Sequence, residues 1–236
     1  GQRGNLKDIS TVKSHNLRCY KIAIMIIFIL SIIAFFVIFF LFYLSNSYIS
    51  KKDFSFEKYE FTYPIYFQKE DLKLDKESYS NILKDEVFDK LPEDIVNSFY
   101  QEGGQIFICE RKFFDLIRES HEDYKVASFY IRCYGKPRIY ISKSNDDSHH
   151  LLHELGHYYD DYYGGLGYIS KSKEFQLLID KEFQSSSCSY NDYYRKPNEF
   201  FAEQFACYFS RNEIIKETNH CPETYDFIER KVYNKK

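Results

Sequence analysis

The sequence predicts an α+β fold, and three observations carry that expectation. Short apolar stretches with strand character, QIFIC (105–109), KVASFYIRCY (125–134) and RIYIS (138–142), lie early in the chain. The stretches that follow read as helices with recognisable starts, among them PNEFFAEQFACYF (197–209) and PETYDFIERKVY (222–233), each opened by proline. Between the two groups stands HHLLHELGHYYDD (149–161), where four of the seven histidines fall within nine positions. Strands mostly before and helices mostly after this segment give an α+β order, not an alternating one.

The first element is unlike the rest. Residues 22–44, IAIMIIFILSIIAFFVIFFLFYL, hold 23 positions without a charge. That length crosses about 30 Å of hydrocarbon as a helix. A signal peptide would have a shorter apolar core and a small-x-small site after it, and neither is found. The preceding flank, 1–21, carries Arg3, Lys7, Lys13, Arg18 and Lys21 against Asp8 alone, while the far flank is mixed. A positive-inside bias therefore predicts one transmembrane signal-anchor helix over 22–44. The basic segment 1–21 falls in the cytoplasm, and everything after Tyr48 lies outside the cell membrane or in a lumen.

Residues 45–75 are read as a stalk or extended linker, although FSFEKYEFTYPIYF alternates as a strand does. The globular pattern begins near 76. ESYSNILKDEVFDKLP (77–92) places Tyr79, Ile82, Leu83, Val87 and Phe88 at helical spacing and stops at Pro92. EDIVNSFYQ (93–101) is a second helix, ended by Gly103 and Gly104. QIFIC follows as a buried strand, then RKFFDLIRES (111–120) as a helix, then the strands 125–134 and 138–142 around a turn at Gly135 and Pro137. SNDDSHH supplies an N-cap and acids for the first turn of the histidine-bearing helix, which Gly164 and Gly165 end. SKSKEFQLLIDKEF (170–183) is helical.

Charge and cysteine usage narrow the partners. Acidic residues outnumber basic ones in 45–236, and no basic stripe interleaves with aromatics, so no nucleic-acid partner is expected. Five cysteines, Cys109, Cys133, Cys188, Cys207 and Cys221, lie beyond the apolar run, and Cys19 lies before it. No CxxC pair exists, which argues against a cysteine zinc site. In an oxidising compartment one or two disulfides with an odd thiol are expected.

The central motif carries the chemistry. His153-Glu154-Leu155-Gly156-His157 fits H-E-x-x-H. Positions i and i+4 share one helix face about 5–6 Å apart, so both imidazoles can reach one zinc ion. Glu154 addresses the metal-bound water, whose pKa zinc lowers towards about 7, and takes its proton. Gly156 is unfavourable inside a helix by about 1 kcal/mol, so a strand or a substrate is expected to approach it closely. A third protein ligand is needed, and PNEFFAEQFACYF offers two glutamates one turn apart, Glu199 and Glu203, on an aromatic helix where an unpaired carboxylate would be costly.

HELGHYYDD, then NEFFAEQF, then TYDFIERKVY resemble the anthrax lethal factor-like metallopeptidases, a family that includes the lethal factor catalytic domain and the proline-proline endopeptidases. The resemblance spans about 76–236. It implies a zincin-like metallopeptidase domain, a small mixed sheet over the HExxH helix with a helical C-terminal subdomain. It implies zinc held by His153, His157 and Glu199, Glu154 as the catalytic glutamate, and Glu203 as the carboxylate that orients a ligand histidine. It also implies an active-site tyrosine before the glutamate ligand, aligned with Tyr193, with Tyr194 left open by a gap of one residue. His149 lies one turn before His153 and invites a three-histidine site, a place that Glu199 fills, so His149 and His150 are expected in the first turn or the cleft wall. Asp160 is open between supporting a ligand and being an exposed acid.

The activity so implied is a membrane-anchored zinc endopeptidase acting on an extended peptide or protein outside the cytoplasm, with RIYIS as the strand to which the peptide adds. The alternatives are a silent binding or adhesion module on the same fold, or a toxin-like effector protease.

Overall fold

The apolar runs QIFIC and RIYIS become neighbouring strands near the middle of a five-stranded mixed sheet in the computed structural model, which describes residues 24–39, 56–69, 72–118, 127–210 and 218–233. The strands are β1 (Phe56–Tyr59), β2 (Ile65–Gln68), β3 (Gln105–Cys109), β4 (Ser128–Cys133) and β5 (Lys136–Ser142), in the order β1-β2-β3-β5-β4. β2, β3 and β5 run parallel, and β1 and β4 pair antiparallel at the two edges. Buried on both faces, β3 and β5 read as continuous apolar runs, as parallel strands do.

Two expectations change here. Residues 56–68, read as stalk, are strands of the sheet, because their alternation buries Phe56, Ile65 and Phe67. RIYIS does not form an edge: β5 is hydrogen-bonded on both sides, and β4 is the exposed edge beside the histidine helix. β4 and β5 form a hairpin whose loop residues, Tyr134 and Gly135, both have positive φ (51° and 78°). A primed two-residue turn requires this to match the strand twist.

Seven helices of the 56–233 region are used below. α1 (Lys76–Leu83) starts at Asp75, whose carboxylate accepts from the backbone of Glu77 and Ser78, and continues into one π-helical turn, Lys84–Phe88. α2 is Glu93–Gln101 and α3 is Arg111–Arg118. α4 (Asp147–Gly164) is the histidine helix. α5 (Lys173–Glu182), α6 (Pro197–Phe209) and α7 (Pro222–Tyr233) follow. The start of α4 is fixed from outside: buried Asp147 accepts from Tyr79 Oη at 2.6 Å and from the Ser144 backbone and hydroxyl at 2.8 Å. Gly165, at φ 61°, ends it.

α4 buries Leu151, Leu152, Leu155, Tyr158 and Tyr159 away from its histidines, and α6 packs Phe200, Phe201 and Phe205 into the same core. The two helices approach closely at Gly156. A Cβ there would stand 2.9 Å from Ala202 Cα and 3.2 Å from Phe205 Cβ. The neighbour that demands a glycine is thus helix α6, not a strand or a substrate.

The apolar run was expected to span a membrane from 22 to 44. Its part within the described residues, 24–39, is helical with exposed apolar side chains, and the rest lies outside them, as does the basic segment. No helix among the described residues is long and apolar enough to cross a membrane. Residues 1–51 and 52–236 are separate compact units. The expected disulfides are not formed: Cys109, Cys133, Cys188, Cys207 and Cys221 are all buried free thiols, because packing inside the core places none of them in a bridge. Cys19 lies outside the described residues.

Candidate metal centre and cleft

His153 and His157 rise from one face of α4, one turn apart, with ring centroids 4.9 Å from each other. The contact of Gly156 with Ala202 sets α6 against that face, and Glu199, three residues before Ala202, meets both rings. Glu199 Oε2 lies 3.5 Å from His153 Nε2 and 3.4 Å from His157 Nε2. The three ligating atoms lie within 4.8 Å of one another. Two atoms each about 2.0–2.1 Å from a tetrahedral zinc ion would stand about 3.3–3.4 Å apart. The donor set and its spacing therefore fit zinc.

The surrounding charges favour such an occupant. Burial opposes the charge on Glu199, yet the hydrogen bonds and charges of His153 and His157 outweigh it and hold its carboxyl well below the usual range. Glu203 behaves alike: burial raises it, and His149 and His153 pull it further down. Burial lowers the His153 imidazole, and Glu199 and Glu203 push it up to about 10. Without a metal, the two carboxylates make the imidazole the cation.

Glu203 also fixes a tautomer. Its Oε2 stands 3.0 Å from His153 Nδ1 and its Oε1 3.1 Å from His149 Nε2. A carboxylate can only accept, so both ring nitrogens carry protons and His153 Nε2 is left to face the cluster. His149 is thus tied to the carboxylate behind the ligand. Its Nδ1 is buried with no partner among the described residues. His150 Nδ1 stands 3.5 Å from Ser144 Oγ on the cleft wall. Asp160 is not an exposed acid: it is 1 % exposed and accepts from the Ser170 backbone at 2.7 Å and hydroxyl at 2.6 Å, clasping the turn after α4, while the charge of His157 acts on it.

Glu154, next to His153 on α4, reaches the edge strand. It is 3 % exposed, its Oε1 accepts from Ser128 Oγ at 2.6 Å, and its Oε2 has no partner among the described residues. Ser128 was not singled out in the sequence. It lies 26 positions away, and no local pattern marks it.

The cluster opens into a cleft of about 1130 Å³. β4 forms one wall, and Tyr168, Tyr190, Tyr193 and Tyr194 line other parts. Arg132 ties that wall down: it pairs with Asp161 and, at 3.1 Å, with Glu102, while Tyr130 Oη donates to Asp161 at 2.6 Å. Both tyrosines left open by the sequence line this cleft, and the Tyr194 ring centroid stands 6.3 Å from that of His153. Tyr193 packs edge-on against Tyr194, with the Lys196 ammonium over its ring at 4.7 Å.

The chain resembles known proteins. A Pro-Pro endopeptidase of Clostridioides difficile (strain 630) is 37 % identical over 89 residues, which cover 37 % of this chain and 39 % of that protein. The chain thus matches well under half of that relative's length. The structure of the Pro-Pro endopeptidase from Paenibacillus alvei aligns with a TM-score of 0.47 at 18 % identity, covering 67 % of this chain and 94 % of that one. Residues 60–231 match the family described as anthrax toxin lethal factor, N- and C-terminal domain, which places most of the chain in one family alignment. On that match, this chain belongs to the anthrax toxin lethal factor family.

Proposed function

We propose that the chain is a zinc metalloendopeptidase anchored in the cell membrane, with its catalytic domain outside the cytoplasm. The observation that carries the activity is the convergence of His153, His157 and Glu199 beside a buried Glu154 with one unpartnered oxygen, at the floor of an open cleft. Zinc held by those three side chains would supply a Lewis acid for a peptide carbonyl and make water acidic enough to attack near neutral pH.

The chain's own residues do the rest. Glu154 Oε2 faces no competing donor among the described residues, so it takes the proton of the attacking water and carries it to the leaving amine. Glu203 holds His153 in the tautomer and orientation that ligation needs. Tyr194 donates its hydroxyl to the oxyanion developing on the substrate carbonyl. β4, which ends the sheet among the described residues, takes an extended peptide as an added strand.

The anchor rests on the 23-residue uncharged run at 22–44, and its orientation on the basic flank before it. External protease applied to intact cells should remove 56–236 and spare a tag at Gly1. Protection of the C-terminal part would reverse the orientation. The activity is tested by digesting a peptide library with zinc-loaded full chain. The Clostridioides difficile relative is a Pro-Pro endopeptidase, so peptides with consecutive prolines belong in the set. Cleavage that chelation abolishes and zinc restores is expected. A stoichiometric zinc protein that cleaves nothing would be a binding module.

A further inference from the structure

We propose that Ser128 is a positioning residue for the general base, an inference that rests on the peptidase reading above. Glu154 is buried, and a buried carboxylate needs a donor to hold its orientation. One oxygen is spoken for: Ser128 Oγ donates to Oε1 at 2.6 Å, the short distance of a charge-assisted bond. A hydroxyl donor holds the carboxylate in one rotamer, and that rotamer leaves Oε2 as the free base.

The placement of Ser128 adds a second consequence. It is the first residue of β4, paired with Ile141 of β5, and it lies in the cleft wall. The strand to which a peptide adds therefore also holds the base. The register of the peptide on β4 and the position of Glu154 are set by the same few atoms. A peptide seated correctly along β4 meets a base already aimed at its scissile bond, the kind of alignment on which rates depend steeply.

The test compares Ser128→Thr with Ser128→Val in zinc-loaded full chain. The two variants match in shape and differ in the hydroxyl. Thr should keep kcat within about threefold. Val should lose about 10- to 100-fold in kcat, as expected for one hydrogen bond to a charged group, with KM and zinc content unchanged. In a Glu154→Gln background the Val variant should lose little more, since its effect runs through the carboxylate. An unchanged kcat in Ser128→Val, a loss confined to KM, or an equal loss in the Glu154→Gln background would each overturn the proposal. A readout without turnover separates this from failure of the peptidase reading. The Glu154 carboxylate stretch, taken as the infrared difference against Glu154→Gln, should shift in Ser128→Val and not in Ser128→Thr. If the parent holds zinc but cleaves nothing, that band still decides whether Ser128 holds Glu154, and an unmoved band rejects it.

Discussion

Glu199, Glu203 and Cys207 follow one another at single-turn spacing along α6, yet the two ends of that stripe have opposite character. At its start, carboxylates and imidazoles face one another and are held as ions: Glu199 and Glu203 far down, His153 up to about 10. At its end, Cys207 joins Cys188 and Cys221 in a region of neutral thiols, all raised by burial. Each end holds three side chains able to ligate metal. Only the first brings three such atoms within 4.8 Å among the described residues. What separates them is mutual charge: opposite ions tolerate burial together, while a lone thiol survives it by keeping its proton.

The largest expected effects break the charged end. His153→Ala or Glu199→Ala should lose zinc and all measurable turnover. Glu154→Ala should keep zinc and lose about 10²–10⁴-fold in kcat, since the cluster of ligating atoms is His153, His157 and Glu199 and Glu154 serves as the base. Zinc stoichiometry beside kcat on one peptide separates the two outcomes. Zinc loss in Glu154→Ala would make Glu154 a ligand and undo the assignment of roles. Glu203→Gln should weaken zinc about 10- to 100-fold, because the amide disturbs the bond that fixes His153.

The next effect sharpens the picture at the cleft. Tyr194→Phe should lower kcat about 10²–10³-fold with zinc and KM kept, and Tyr193→Phe should do little. The resemblance implies Tyr193 and leaves Tyr194 open; Tyr194 is proposed because its ring stands beside His153. If Tyr193→Phe carries the loss, Tyr193 is the donor, as the resemblance implies.

A smaller effect tests how the ends are brought together. Gly156→Ala gains about 1 kcal/mol in helix propensity. The new methyl would sit 2.9 Å from Ala202 Cα, which is backbone and cannot step aside. Overpacking of this kind costs about 1–3 kcal/mol and should win, lowering Tm and pushing Glu199 off the histidines. A raised Tm with unchanged zinc affinity would show that α6 yields.

These outcomes trace what the sequence could show. His153, Glu154 and His157 were legible because helical spacing alone puts i and i+4 on one face. Glu199 and Glu203 were legible as a pair for the same reason, and the resemblance assigned their roles. Strand existence was legible at QIFIC and RIYIS, but not which strand forms the edge, since that depends on pairing between segments far apart. The bond from Ser128 to Glu154 and the Arg132–Asp161 tie were hidden for the same reason. Residues 56–68 alternate as strands do, and were misread because their partner, β3, lies some forty residues on.

Cysteine spacing holds no such periodic information, and the thiol end yields the smallest effect. Burial pushes the Cys188 thiol up to about 11 and Cys221 to about 12, and burial first, then nearby carboxylates, raise Cys207 and Cys109 as well. The thiolate is the species that alkylates and exchanges, and at pH 8 almost none is present at these sites. Iodoacetamide at pH 8 should therefore leave the peptides of Cys109, Cys188, Cys207 and Cys221 unlabelled in the folded chain, and that of Cys133 too, because its sulfur is buried from the reagent. After unfolding in denaturant without reductant, all five should label fully. Disulfide-linked peptides among these five, or rapid labelling of Cys207 before unfolding, would erase the contrast between the two ends. The first would mean the chain crosslinks its core, and the second that the carboxylate of Glu203 does not see a buried neutral neighbour at 3.9 Å.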